Sequence, residues 1–214
     1  MMTVIVERGI MIAQILIVCF IGYLFGCIQT AYILGKIIAG IDIRQQGSGN
    51  AGASNVVTVL GLKYGVITGV ADILKGVLPV VIVRALYPAT PALAYAAGMA
   101  AIIGHIFPFY LKFRGGKGVA TLMGMMLAYD LRLGLLFIAV ILGVVLVVDY
   151  IAIGSLTVFT LLPIVTFRLR LPLWCQVAAI LLAVIAYIKH AENVQRIRKG
   201  TELHVRAILM KKKS

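Results

Sequence analysis

Three polar segments interrupt an otherwise apolar chain, and each has residue types suited to holding an anion. The first is Gly47-Ser48-Gly49-Asn50-Ala51-Gly52-Ala53-Ser54-Asn55. Its glycines let the backbone turn and leave N–H groups open, and Ser48, Asn50, Ser54 and Asn55 add short polar side chains. The apolar helix that follows presents its positive N-terminal end to the same anion. The second runs from Gly104-His105 through Pro108 to Lys112-Phe113-Arg114-Gly115-Gly116-Lys117-Gly118 and on to Thr121. Here Gly115, Gly116 and Gly118 surround a cation, Lys117, and again open a helix. The third is His190-Ala191-Glu192-Asn193-Val194-Gln195-Arg196, followed by Gly200-Thr201-Glu202. On a helix His190, Asn193 and Arg196 share a face and aim three donors at one phosphate or hydroxyl.

Several familiar motifs are excluded. Gly47, Gly49 and Gly52 fit G-x-G-x-x-G, but no buried strand precedes them, so a dinucleotide fold is rejected. Lys117 is followed by glycine, so the second segment is not a Walker A loop. Tyr110 lies five positions after His105 and Gln195 five after His190, so the His-Asp dyad of many acyltransferases is absent. Plainer readings stand beside the chemical ones. The first loop also reads as a flexible linker, Lys112 and Arg114 as membrane-side anchors, His105 as a structural histidine, and the third segment as an amphipathic exit helix. His204 and the Lys211 to Lys213 run read as solvated. Cys19, Cys27 and Cys175 read as small core residues, with neither disulfide nor metal spacing. No metal or cofactor is expected.

These segments need elements to position them, and composition says which. The chain has 214 residues, 62% hydrophobic and only 13% charged, with a mean hydropathy of +1.08. That balance suits a protein whose main solvent is lipid. Seven apolar runs can be counted at 10–35, 65–87, 92–111, 118–130, 133–149, 151–167 and 172–189, against the roughly 20 residues a spanning helix needs. The fourth is short and reads as tilted or re-entrant, and a count of six is the alternative. The expected architecture is an all-α polytopic membrane protein with seven transmembrane helices and cytoplasmic active-site loops. Residues 1–214 form a single domain and 191–214 a basic cytoplasmic tail. Gly9 to Gly35 carries no charge and is too long for a signal h-region, so it is expected as a retained first span, starting at Met1 or Met11. Gly22, Gly26, Gly69, Gly98 and Gly143 read as helix-packing positions.

The net charge of +13 is placed in loops and tail. Lys36, Arg44, Lys63, Lys112, Arg114, Lys117 and the tail fall on one side. Arg8, Arg84, Arg132, Arg168 and Arg170 fall on the other, with Trp174 near a helix end there. The asymmetry puts the first group in the cytoplasm, the N-terminus outside and the C-terminus inside. Basic residues are not interleaved with aromatics, which excludes a nucleic-acid platform. Within the second span Asp72 and Lys75, three residues apart, can pair. Ionisable groups there mark a functional site or brace a neighbouring loop.

In this order the segments resemble the bacterial acyl-phosphate:glycerol-3-phosphate acyltransferases of the PlsY type, over nearly the whole chain. Gly47 to Asn55 is similar to that family's first loop, and Asp72, Lys75 and Gly76 to its second-helix signature. Gly104 to Thr121 is similar to its second loop, and His190, Asn193, Arg196, Gly200 and Glu202 to its third. The resemblance implies a seven-helix bacterial inner-membrane enzyme. It would move a fatty acyl group from acyl phosphate to the 1-hydroxyl of sn-glycerol 3-phosphate, giving lysophosphatidic acid and phosphate, the first step of phospholipid synthesis. The chain departs from the pattern at Thr58, Asp149 and Ala152, where the family usually has arginine, arginine and serine. Lys63, Arg44 and Arg114 are the nearby cations that could replace the lost ones.

On that reading Ser48, Lys117, His190 and Asn193 carry the chemistry. Gly49, Asn50, Gly52, Ser54, Asn55, Gly115, Gly116 and Gly118 bind phosphate, and Asp72, Lys75, His105, Arg196 and Glu202 support them. An acyl phosphate is already activated, so proximity and charge stabilisation suffice without a covalent nucleophile. Its partners would be acyl phosphate, glycerol 3-phosphate and membrane lipids. The rival readings are an anion transporter or channel, and an acyltransferase paralogue with another polyol-phosphate acceptor.

Overall fold

The computed structural model describes residues 2–210, with side chains for residues 9–207. Met1, the side chain of Arg8 and the Lys211–Lys213 run lie outside the described residues. Among the described residues the regular structure is helical and contains no strand. Two compact units divide the chain, Met1–Leu131 and Arg132–Ser214.

The first unit contains helices α1 (Met2–Gly26), α2 (Thr30–Ala39), α3 (Ala53–Leu60), α4 (Leu62–Leu86), α5 (Pro91–Ile106) and α6 (Val119–Tyr129). Helix α5 is its centre, buried on nearly every face and packed on α1, α4 and α6. Small residues make that closeness possible: Gly22 and Gly26 lie against the backbone of Ala97 and Ala101, and Gly76 and Gly124 do the same across the α4–α6 contact. This is the packing expected where lipid removes the hydrophobic drive between helices.

The expected first span over 10–35 is real but broken. It extends over Gly9–Ala39, and the helix stops at Gly26 and restarts at Thr30. The break frees the carbonyls of Gly26, Cys27 and Ile28 from the i+4 ladder. In a membrane each such group must find another donor. Each does: Gln29 Nε2 donates to Gly26 at 3.3 Å, Tyr110 Oη to Cys27 at 2.8 Å, and Lys75 Nζ to Ile28 at 2.7 Å.

The second unit contains α7 (Leu131–Val148, entered one residue before the boundary), α8 (Ile151–Arg168), α9 (Leu173–Arg198) and α10 (Val205–Met210). Helices α8 and α9 pack together. Large apolar side chains such as Leu135, Leu142, Leu146, Val177, Ile180 and Val184 are exposed. A water-soluble surface would not carry so many; lipid is their solvent.

Among the described residues six helical spans are long and apolar enough to cross a membrane. Helix α6, the expected short fourth span, has 11 residues. It is about 16 Å long, roughly half a hydrocarbon core. The six spans and this short helix occupy the seven expected runs.

Candidate active-site loops

The first loop is built around Asn55, the third residue of α3. Its Oδ1 accepts the Ser48 amide at 2.8 Å, and Nδ2 donates to the carbonyls of Ile43 and Gln46, both at 3.0 Å. All its donor capacity is thus spent on shaping the loop. Gly47 is left-handed at φ 57°, and a Cβ there would run into that same Asn55 oxygen. A small apolar core of Ala31, Ile43, Ala51 and Val56, flanked by Val59, Leu60 and Tyr64, seats the loop from below. On top of this frame Ser48, Gly49 and Ser54 are exposed and Asn50 half-buried. The first amides of α3 lack intrahelical partners by helix geometry. Donors for an anion therefore come from Ser48, Asn50, Ser54 and the backbone rather than from the Asn55 side chain.

The second loop hangs from the end of α5. Gly115 N donates to the Ile106 carbonyl and Gly116 N to that of His105, both at 3.1 Å. Lys112 and Phe113 turn the chain in the left-handed region, at φ 55° and 58°. Gly118, also left-handed, caps α6. Gly116 is buried with no room for a side chain: a Cβ would meet the His105 ring at Nε2 and the Ala51 carbonyl. Since Ala51 belongs to the first loop, the two glycine loops touch at Gly116. Lys117, the next residue, is half-buried.

Arg44 joins the loops a second time. Its guanidinium takes both oxygens of Asp42 (Nη2–Oδ2 2.7 Å, Nε–Oδ1 3.0 Å) and reaches the carbonyls of Leu111 at 2.9 Å and Arg114 at 3.3 Å. Hydrogen bonds from Arg44 hold the Asp42 carboxyl below the usual carboxylate range, against the opposing effect of burial. Arg44 is therefore a clamp between loops. Its hydrogen bonds go to Asp42, Leu111 and Arg114, so its first role is to join the loops. Thr58 is exposed, and its hydroxyl bonds back to the Ser54 carbonyl of its own helix.

Beneath the loops lies a buried polar cluster. Asp72 and Lys75 pair at 2.7 Å, each 3% exposed at the side chain. The contact between Lys75 Nζ and Asp72 Oδ1 is an ion pair off the alignment of a hydrogen bond. His105 Nδ1 is 3.7 Å from the same oxygen, too far to bond. Spent on Asp72 and on the Ile28 carbonyl, Lys75 braces the broken helix and does not line an anion path. Gln29, which sequence reasoning passed over, belongs here: it is 1% exposed and donates to both Gly26 and His105. Its one signal in the sequence was an uncharged amide inside a charge-free run.

In the second unit His190 and Asn193 are buried on one face of α9. His190 Nδ1 lies 2.8 Å from the Ala186 carbonyl. A carbonyl only accepts, so Nδ1 carries a proton. Past the helix end the chain turns at Gly200, φ 68°, and brings Glu202 back. Its carboxylate takes Asn193 Nδ2 and Arg196 Nε, each at 2.6 Å. His190 and Asn193 thus share a buried face of α9 as expected from their spacing, and the Asn193 amide and Arg196 Nε are directed at Glu202.

His204, expected to be solvated and unremarkable, is exposed as expected but is also hydrogen-bonded. Its Nδ1 is 3.0 Å from Asp149 Oδ2 and its Nε2 3.2 Å from Tyr150 Oη. Asp149, left-handed at φ 63°, also accepts the Arg206 amide at 3.0 Å. The carboxylate thus starts the short helix α10 in the manner of an N-cap.

Comparison with known proteins decides the family. The family model described as Glycerol-3-phosphate acyltransferase matches residues 16–200. The chain belongs to the glycerol-3-phosphate acyltransferase family. The relative of that name from Thermoanaerobacter pseudethanolicus is 41% identical over 187 residues, 85% of this chain and 91% of its own. That from Geobacter sulfurreducens is 39% identical over 193 residues, 90% of this chain and 98% of its own. The crystal structure of PlsY (YgiH), an integral membrane glycerol 3-phosphate acyltransferase, in its glycerol 3-phosphate form, superposes with a TM-score of 0.81 at 32% identity. It covers 92% of this chain and 99% of that one. The lysophosphatidic acid form gives 0.78 at 31% identity, with the same coverage. The protein is an integral, multi-span membrane acyltransferase by family. The match runs through both compact units.

Proposed function

We propose that this chain transfers a fatty acyl group from acyl phosphate to the 1-hydroxyl of sn-glycerol 3-phosphate, at the cytoplasmic face of a bacterial inner membrane. The observation that carries this reading is the meeting of two glycine loops at Gly116, in a chain of the glycerol-3-phosphate acyltransferase family. Both substrates bring phosphate. Ser48, Asn50, Ser54 and Lys117 with the leading amides of α3 suit such anions, while the amides of Gly49, Gly115 and Gly116 are already bonded to the carbonyls of Gln46, Ile106 and His105 and shape the loops. Residues 1–214 act as one acyltransferase domain, with the N-terminus outside and the basic tail, 191–214, in the cytoplasm, as the distribution of Lys and Arg supports.

In the reaction the acceptor hydroxyl oxygen attacks the acyl carbonyl carbon. The new ester C–O bond forms as the bond from that carbon to the phosphate oxygen breaks. Phosphate leaves with the electron pair. The hydroxyl proton goes to a phosphate oxygen or to His190. The protein supplies proximity and charge stabilisation; the activated donor supplies the rest. Asn193, ordered by Glu202, orients the glycerol phosphate.

One observation favours a second reading. Thr58 puts an exposed hydroxyl, bonded back to its own helix, beside the first loop, and a changed loop rim suits a paralogue acting on another polyol phosphate. One assay separates the two. Purified protein in detergent receives palmitoyl phosphate with glycerol 3-phosphate or another polyol phosphate, and phosphate release is followed. Release that requires glycerol 3-phosphate and disappears in Lys117→Ala and His190→Ala supports the first reading. Release only with another acceptor supports the second, and no release with any acceptor rejects both.

A further inference from the structure

We infer that Gln29 is a positioning residue for the second glycine loop, holding the backbone of His105 and through it the amide of Gly116; the inference rests on the assignment of that loop to substrate phosphate. Three features of the residue lead there.

First, Gln29 reaches out of the helix break. Its Nε2 has two hydrogens, one directed at Gly26 in its own span at 3.3 Å and the other at the His105 carbonyl at 3.0 Å. Two carbonyls can be met only by the NH2 end, so the amide orientation is fixed. The other two carbonyls of the break have their own donors, Tyr110 and Lys75. What Gln29 does and they do not is bind His105.

Second, the His105 carbonyl is shared. It also accepts the Gly116 amide at 3.1 Å. One oxygen therefore joins Gln29 to the residue on which the two loops converge. Gly116 is wedged between the His105 ring and Ala51, so a shift of His105 passes to Gly116 and on to Lys117.

Third, Gln29 is a poor choice for stability alone. Its Oε1 is buried and has no hydrogen-bond partner. Such a group carries the full cost of desolvation, which an apolar side chain of the same length avoids. A residue kept in spite of that cost is kept for where its other end points.

The test is Gln29→Met, which preserves length and volume and removes the amide, with Thr68→Val as control. Thr68→Val removes a buried hydroxyl bonded to the Tyr64 carbonyl in α4 and leaves His105 and the second loop untouched. Each purified variant is assayed for the KM of each substrate, for kcat, and for amide exchange over residues 112–121 by mass spectrometry. The inference expects Gln29→Met to exchange faster in that segment. It expects the KM of one phosphate substrate to rise about tenfold, the loss of one well-placed hydrogen bond, with kcat nearly constant. Thr68→Val moves neither. If Gln29→Met does not survive extraction, Gln29→Asn, one methylene short of His105, carries the same test. Unchanged exchange overturns the inference. Faster exchange with both KM values unchanged overturns the assignment of the loop to substrate and leaves its hold by Gln29 standing.

Discussion

The ammonium of Lys75 lies 2.7 Å from the carbonyl oxygen of Ile28 and 2.7 Å from the carboxylate of Asp72. The ion pair and the broken first span are therefore one device. A charge pair in the membrane is costly, and here it caps a carbonyl that the break has stripped of its partner. Lys75→Met removes the cap and leaves Asp72 buried and unpaired. That should lower stability by about 3–5 kcal/mol, the usual cost of halving a buried pair. Asp72→Asn combined with Lys75→Met should recover part of the loss. The check is thermal unfolding in detergent. A single variant as stable as the wild type would show that the pair does not brace the break.

Gly116 and Gly143 separate packing from permissiveness. A Cβ at Gly116 collides with the His105 ring and the Ala51 carbonyl, whereas one at Gly143, in α7, meets nothing within 4 Å. Gly116→Ala should therefore pry the glycine loops apart and reduce phosphate release at least roughly tenfold, equivalent to about 1.4 kcal/mol. Gly143→Ala should leave activity unchanged and add roughly 0.5–1 kcal/mol of helix stability. Equal activity in the two variants would mean that contact between the loops is not needed.

How far the sequence could be read follows from the length scale of each feature. The spans were legible because about 20 apolar residues announce themselves locally. The short α6 was legible for the same reason, bounded by Lys117 and Asp130. The loops were legible through glycine spacing. The break at Cys27–Gln29 was not, because its stabilising partners Tyr110 and Lys75 are distant in the chain and nothing local replaces them. Nor could sequence tell a phosphate ligand from a loop-builder. Asn55 sits in a string of short polar residues identical in kind to Asn50, and only the fold shows that its donors turn inward. The same holds for Arg44, whose partners Leu111 and Arg114 are supplied by the second loop.

Glu202 offers a test of the third segment. It is the carboxylate that holds Asn193 and Arg196 together, each at 2.6 Å. Glu202→Gln keeps an oxygen for Asn193 and removes the charge that holds Arg196. Charge-assisted hydrogen bonds are about twice as strong as neutral ones. The expected result is a fall in kcat/KM of roughly tenfold or more, with a smaller effect than Asn193→Ala if Asn193 touches substrate directly. Steady-state phosphate release measures both. A Glu202→Gln enzyme with wild-type kinetics would remove Glu202 from the site.

The Asp42–Arg44 clamp makes a prediction about acid. Arg44 keeps the Asp42 carboxyl below its ordinary range in the folded protein, while the unfolded chain titrates near about 3.9. A group whose folded value is depressed stabilises the fold above the unfolded value and loses that contribution as pH falls through the folded one. Between pH 5 and 8 the clamp is therefore constant, and its loss begins only below about pH 4. Asp42→Asn should be less stable than the wild type at neutral pH by about 1–2 kcal/mol, the worth of a charge-assisted hydrogen bond partly open to solvent. It should also show a shallower decline in acid, because it has already lost what acid removes. Arg44→Lys should fail differently. It keeps the charge and loses the fork that reaches Leu111 and Arg114, so it should loosen the two loops at every pH. Unfolding temperatures of the three proteins from pH 3 to 8 read this out, and an Asp42→Asn curve parallel to the wild type in acid would show that the carboxylate is not what holds the clamp.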